Sequence, residues 1–224
     1  MLTKTQLAGL GRIGALTIGH NNSISAGHLR ETIKTYREAF TDVVIRLVEA
    51  GHKILSAGLN TALVDLVIGS ENIIYLSGLR CDPVWTERLM VAISCDHPLA
   101  QQDFVSWPDL ASEVIVLTAN DLRPAILDQL LGKPPPTGGS LLITLQETSR
   151  ESMLSMLGIS RDISIRCTCG TGVIYPNVAY REVRVQDEQS WVQYSAFWGS
   201  ENNNPALRRF LGFLRNRHAL SFDL

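Results

Sequence analysis

Residues 14–25 read GALTIGHNNSIS. The apolar run 14–19 closes in His20, Asn21, Asn22 and Ser23, the pattern of a buried strand passing into a polar loop. From Ser25 onward Leu29, Ile33, Tyr36 and Phe40 recur at helical spacing, while Arg30, Glu31, Lys34 and Arg37 fill other positions on the wheel. That spacing predicts an amphipathic helix lying on a sheet. Residues 43–48, rich in β-branched side chains, predict a second strand, residues 53–59 a short helix and residues 62–68 a third strand. Strand, helix, strand, helix, strand within about 55 residues is the rhythm of a parallel sheet with helices on its faces.

The same alternation restarts further on. After a loop containing Gly78, Asp82 and Pro83, residues 88–94 (RLMVAIS) read as a strand and His97-Pro98-Leu99 as a turn. Then follow a strand at 113–117, a helix at 122–131, a Pro/Gly-rich loop at 132–139 and a strand at 141–145. An apolar helix comes next, carrying Met153, Leu154, Met156 and Leu157. The chain closes with a strand at 191–198 and a helix that starts at Pro205 behind Asn204, both good start signals. The expected fold class is α/β, with two Rossmann-like lobes joined by crossing strands: residues 13–88 plus 192–224 form lobe I, and residues 89–191 form lobe II.

Composition sets the outer limits. Apolar residues make up 45% of the 224 residues and charged ones 19%, the balance of an ordinary globular protein. A formal net charge of -2 gives no broad reason to sit on a polyanion, because nucleic-acid binding draws on many Lys and Arg contacts to phosphate. No apolar stretch is long enough for a membrane span and residues 1–12 do not read as a secretory signal, so a cytoplasmic location is expected. Cys81, Cys95, Cys167 and Cys169 are too scattered for a disulfide scaffold. Cys167 and Cys169 are the one pair that a redox sensor would use, and their C-x-C lacks the further ligands that a metal site needs. No metal and no cofactor is expected. Signature contexts for catalysis, such as a G-x-S-x-G elbow, a phosphate-binding G-x-x-x-x-G-K-[ST] loop or an H-E-x-x-H helix, do not occur, so the chain is not read as an enzyme.

Residues 87–100 (ERLMVAISCDHPLA), followed by Val105-Ser106-Trp107-Pro108-Asp109-Leu110, resemble the LysR-type transcriptional regulators, in which a crossing strand leads into "HPLA" and then a "W-x-D-L" helix start. Residues 12–19, 63–69, 170–176 (GTGVIYP, similar to the family's "G-x-G-i-x-x-P" turn) and 204–211 extend the likeness over nearly the whole chain. The resemblance implies a fold like type 2 periplasmic binding proteins and a role as an effector-sensing domain. It also implies assembly as a homodimer or homotetramer, and contact with DNA only through an N-terminal domain absent from these residues. Residues 1–12 would be a remnant of the linker helix. A solute-binding protein of a transporter shares the fold and is the alternative reading.

In such folds ligands meet strand C-termini and helix N-termini, in the cleft between lobes. Asn21, Asn22, Ser23 and Ser25 supply amide and hydroxyl groups at one helix start, where Ser23 or Ser25 equally suits a helix cap. His52 and Ser70 follow the next two strand positions. His52 is either a group for an acidic or aromatic effector or a surface histidine, and Ser70 stands where some relatives place an arginine for a carboxylate, which speaks against a strongly acidic ligand. In the second lobe Thr118, Asn120, Asp121 and Thr148 occupy strand-to-helix loops, with Asp121 also a fair helix cap, and Gly170 opens the glycine turn. A small carboxylate or aromatic metabolite is the expected ligand. The arginines Arg208, Arg209, Arg215 and Arg217 read as the solvated face of the last helix.

Overall fold

The computed structural model describes residues 3–21, 23–70, 78–118, 142–185 and 188–218. The helix expected at 122–131, the loop at 132–139 and the candidate residues Asn22, Asn120 and Asp121 lie outside the described residues. In chain order the helices are α1 (Lys4–Gly9), α2 (Gly27–Ala39), α3 (His52–Asn60), α4 (Trp107–Leu110), α5 (Arg150–Leu157) and α6 (Pro205–His218). The strands are β1 (Gly14–His20), β2 (Val43–Glu49), β3 (Leu66–Ser70), β4 (Leu79–Ser94), β5 (Phe104–Ser106) and β6 (Val114–Thr118). They continue with β7 (Leu142–Gln146), β8 (Ser164–Cys167), β9 (Val178–Val185), β10 (Glu188–Gln189) and β11 (Trp191–Gly199). No described helix is long and apolar enough to cross a membrane.

The chain forms two compact units. Unit 1 comprises Met1–Ser23, Gly27–Trp85 and Gln193–Leu224, and unit 2 comprises Ile24–Ala26 and Thr86–Val192. In unit 1, β2, β1 and β3 run parallel and β11 joins β3 antiparallel. Leu16, Ile18 and Leu66 are wholly buried in this sheet. Helix α2 turns Leu29, Ile33 and Tyr36 inward, and the Tyr36 ring meets the Phe210 and Phe213 rings of α6 edge-on at 4.9 and 5.3 Å. Helix α3 packs through Leu55 and Leu59 on Val64, Val67 and Phe197. Gly19 makes room for that helix, since a Cβ there would sit 2.8 Å from Leu55 Cδ2.

The strand expected at 62–68 starts later, at Leu66. Ala62 has φ 56°, a left-handed conformation that ends α3 while the Leu63 and Val64 amides both donate to the Gly58 carbonyl. Asp65 then ties the sheet to the start of α6: its carboxylate accepts from the Thr17 amide (2.8 Å) and from the Asn204 and Asn202 side-chain amides (3.0 and 3.3 Å). Asn204 in turn accepts from the Ala206 amide, capping the helix.

In unit 2 the second half of β4 lies between β8 and β9, antiparallel to both. Strand β5 runs parallel beside β9, and β10 closes the edge. Strands β6 and β7 are parallel, and an Ile115–Ile163 bridge sets β6 parallel alongside the start of β8. Helix α5 covers this sheet with Met153, Leu154 and Leu157 over Ala92 and Val116. The stretch after β4 folds as its residue types suggest. His97 Nδ1 accepts from the Leu99 amide while Nε2 meets Glu113 at 3.3 Å, and the Ser106 amide and hydroxyl both donate to the Asp109 carboxylate.

A second expectation also changes. The supposed loop with Asp82 and Pro83 is part of β4, where Pro83 is exposed and its missing N–H is tolerated. Between α5 and the glycine turn at 170–176 lies a stretch to which no element was assigned from sequence. A strand, β8, comes first, and a short 3-10 turn at Thr168–Gly170 ends it.

Candidate functional site

Unit 1 gathers polar groups at the carboxyl ends of its parallel strands, where amides and helix starts face one edge of the sheet. His20 ends β1, Asn21 follows it and Ser70 ends β3; the three are 4%, 4% and 1% exposed. The Ser70 hydroxyl is buried and has no hydrogen-bond partner among the described residues. His52 is the first residue of α3, partly buried, and Gly51 before it brings no side chain to cap the first amides. That leaves donors and a positive dipole end beside the same strand edge. Ser23 is partly buried in the loop ahead of α2.

Ser25 does something other than cap α2. Its hydroxyl donates to the Cys169 carbonyl at 3.2 Å and accepts from the Gly172 amide at 3.1 Å, and the Ala26 amide also donates to Cys169. The approach is so close that a Cβ on Gly172 would collide with the Ser25 carbonyl. Ser25 and the segment carrying Gly170 therefore come together within unit 2, and Gly170 itself is partly buried.

The strand ends of unit 2 carry a different chemistry. Thr118, 3% exposed, ends β6 and pairs with Gln146 on β7. Strand β8, beside the start of which β6 runs through the Ile115–Ile163 bridge, carries Arg166, which pairs with Met90 of β4. Arg166 is 4% exposed, and one guanidinium nitrogen lies 4.0 Å from Met153 sulfur on α5. Burial raises the Tyr175 and Tyr180 phenols above their ordinary range, and the Arg166 charge pulls both partly back. Thr148 is exposed, one residue ahead of Ser149, whose hydroxyl caps α5 by accepting from the Ser152 amide.

Sequence reading did not single out His20 or Arg166. His20 was legible as a strand-end residue of the opening motif, whereas Arg166 sits in a stretch whose strand character only its pairing with β4 reveals. Cys167 and Cys169 are buried, Cys81 and Cys95 are exposed, and none of the four is in a disulfide. Among the described residues no cluster of three or more His, Cys, Asp or Glu side chains is placed to hold a metal ion.

Comparison with known proteins gives a consistent result. The model of the LysR substrate binding domain matches residues 10–219. The chain is 20% identical over 202 residues to the HTH-type transcriptional regulator AlsR of Bacillus subtilis (strain 168), covering 90% of this chain and 66% of AlsR. In structure it is similar to CbnR, a LysR family transcriptional regulator, with a TM-score of 0.80 at 16% identity over 95% of this chain and 72% of that one. It is also similar to the BenM effector binding domain with its effector benzoate, with a TM-score of 0.73 at 21% identity over 92% of this chain and 93% of that one.

Proposed function

The chain belongs to the LysR family through its substrate-binding domain, and on that premise we propose that the polar strand ends bind the small-molecule effector of a cytoplasmic transcription regulator. The observation that carries this reading is the set of buried polar residues at the ends of β1 and β3, above all the buried Ser70 hydroxyl without a partner. A fold that leaves a buried donor unmet gives up about 1–3 kcal/mol, and a ligand oxygen restores it. In unit 2, Thr118 and Arg166 supply a hydroxyl and a cation, which suits an effector with a carboxylate.

The chain spans 66% of the length of AlsR. In the full regulator, operator contact falls to a separate helix-turn-helix region, consistent with the net charge of -2 here. The domain catalyses no reaction. It works by population shift: the effector binds one arrangement of a homodimer or homotetramer better than another and so biases it.

A thermal-shift screen of small aromatic and aliphatic carboxylates tests the reading. A true effector present at about 100 times its Kd stabilises the fold by about 2.7 kcal/mol, and Ser70→Ala weakens it about tenfold without lowering the melting temperature of the free domain. A panel without a stabilising member, or a hit indifferent to Ser70, overturns the assignment.

A further inference from the structure

Helix α6 turns Leu207, Phe210, Leu211 and Leu214 into the unit 1 core. Along its other side Pro205, Arg208, Arg209, Gly212, Phe213 and Asn216 recur at spacings of three and four, which sets them in one stripe. That stripe, with Leu10 just after α1 and Phe40 just after α2, borders a groove of about 460 Å³ that lies wholly within unit 1. The volume is within the range of ligand pockets. None of these residues belongs to the strand-end set.

The groove is cationic on one side and flat on the other. Arg209 is fixed in place: its Nε donates to the Leu10 carbonyl at 2.7 Å, and its guanidinium carbon lies 5.1 Å from the centre of the Phe40 ring. Arg208 is exposed and makes only a 3.4 Å contact with the Asn203 carbonyl. Among the described residues no acidic side chain lines the groove, so both guanidinium groups keep donors for an anion. The Phe40 and Phe213 rings pack on Tyr36 at 4.6 and 5.3 Å, which makes the aromatic wall a pre-formed one. Gly212 lies between the cations and this wall. A Cβ there would meet nothing within 4 Å and the backbone is helical, so neither packing nor a left-handed turn calls for glycine, which weakens a helix interior. What the missing side chain supplies is a bare stretch of helix on which a ring can lie.

From these features we propose that the groove binds a planar aromatic carboxylate, with the carboxylate on Arg208 and Arg209 and the ring on the Gly212 backbone beside Phe213. Guanidinium groups meet carboxylates through charge-assisted hydrogen bonds, the stronger kind. An uncharged ring forgoes that attraction, and a small anion such as acetate leaves the aromatic wall and the glycine floor in water. Leu10 closes α1, which lies ahead of the residues 10–219 matched by the domain model, so the bound anion joins that helix to α6.

Cinnamate, cinnamyl alcohol and acetate separate the ring from the charge. In heteronuclear NMR of the domain, cinnamate shifts the Gly212 amide and the Phe213 ring signals saturably, while cinnamyl alcohol and acetate each bind there at least about tenfold more weakly. Gly212→Leu fills the floor and abolishes the Phe213 shifts. Since no atom stands in the way of the new side chain, its melting temperature is no lower than the parent's. Should that variant not fold, Arg208→Gln serves instead: at an exposed position it keeps the fold and weakens cinnamate about tenfold. Absence of saturable shifts, equal binding of cinnamyl alcohol or acetate, or cinnamate binding unaltered in either variant overturns the proposal, and none of these outcomes bears on Ser70.

Discussion

The two units bury different kinds of polarity. Among the described residues, every buried polar side chain of unit 1, namely His20, Asn21, Thr32, Ser70, Ser195 and His218, belongs to a residue type without a permanent charge. The two buried residues with a formal charge, Glu87 and Arg166, are both in unit 2. Removing an ion from water costs far more than removing an amide or hydroxyl. Unit 1 is thus suited to hydrogen-bonding a ligand without charge of its own, whereas unit 2 buries one group of each sign.

The strongest way to break this contrast is through backbone packing. Gly172→Ala drives a methyl into the Ser25 carbonyl and should lower unfolding free energy by about 3 kcal/mol in urea titrations. Gly19→Ala in unit 1 meets side-chain methyls rather than backbone, Leu55 Cδ2 at 2.8 Å and one methyl each of Val64 and Val67 at 3.1 Å, and should cost about 1 kcal/mol. The reverse order would show that the Ser25 contact contributes little.

Arg166→Leu comes next. Isothermal titration should show an anionic effector weakened about thirtyfold, roughly 2 kcal/mol, with the stability of the free domain unchanged or higher. A loss of stability without a loss of affinity would make Arg166 a purely structural ion.

The smallest effect concerns protonation in unit 1. His218 titrates near 4 in the fold against 6.5 normally, so below the normal value the unfolded chain takes up a proton that the folded chain refuses. The resulting stability is complete above about pH 6.5 and is lost as pH falls toward 4. The groups facing this imidazole are His28, Arg217 and the Thr32 hydroxyl. His218→Phe should remove that part of the acid dependence, and an unchanged curve would mean that the imidazole is not held neutral.

The opening of the chain was the easiest part to read. Residues 14–60 show clean periodicities, and β1, α2, β2 and α3 fall within a few residues of the expected bounds because each buries one regular face. Legibility failed where a local rule was overridden. Pro83 argued for a loop, yet it occupies an exposed position of a long strand. Ala62 takes a glycine-like conformation, delaying β3. Strand β9 reads VAYREVRV, with mostly half-buried residues, so its pattern carries no apolar face to detect.

The candidate site divides the same way. Asn21, Ser70 and Thr118 were named because strand ends can be counted, and all three are buried. Thr148 and His52 were found by the same counting, yet Thr148 is exposed and His52 half-buried. Arg166 was missed because a lone arginine inside four residues of strand gives no periodic signal.

The Asp65 knot sets an order on synthesis. Its partners Asn202 and Asn204 lie 137 and 139 residues further along the chain, and α6, which those asparagines introduce, carries Phe210 into the unit 1 core. Since domains form as they emerge from the ribosome, unit 1 must wait, half built, for the final helix. Unit 2, encoded in one nearly unbroken stretch between its halves, is free to fold in the interval. The first-made strands β1, β2 and β3 are then the segments most exposed to chaperones and to mispairing, and a nonsense mutation just before Pro205 would spare the middle of the protein while leaving its beginning unfinished.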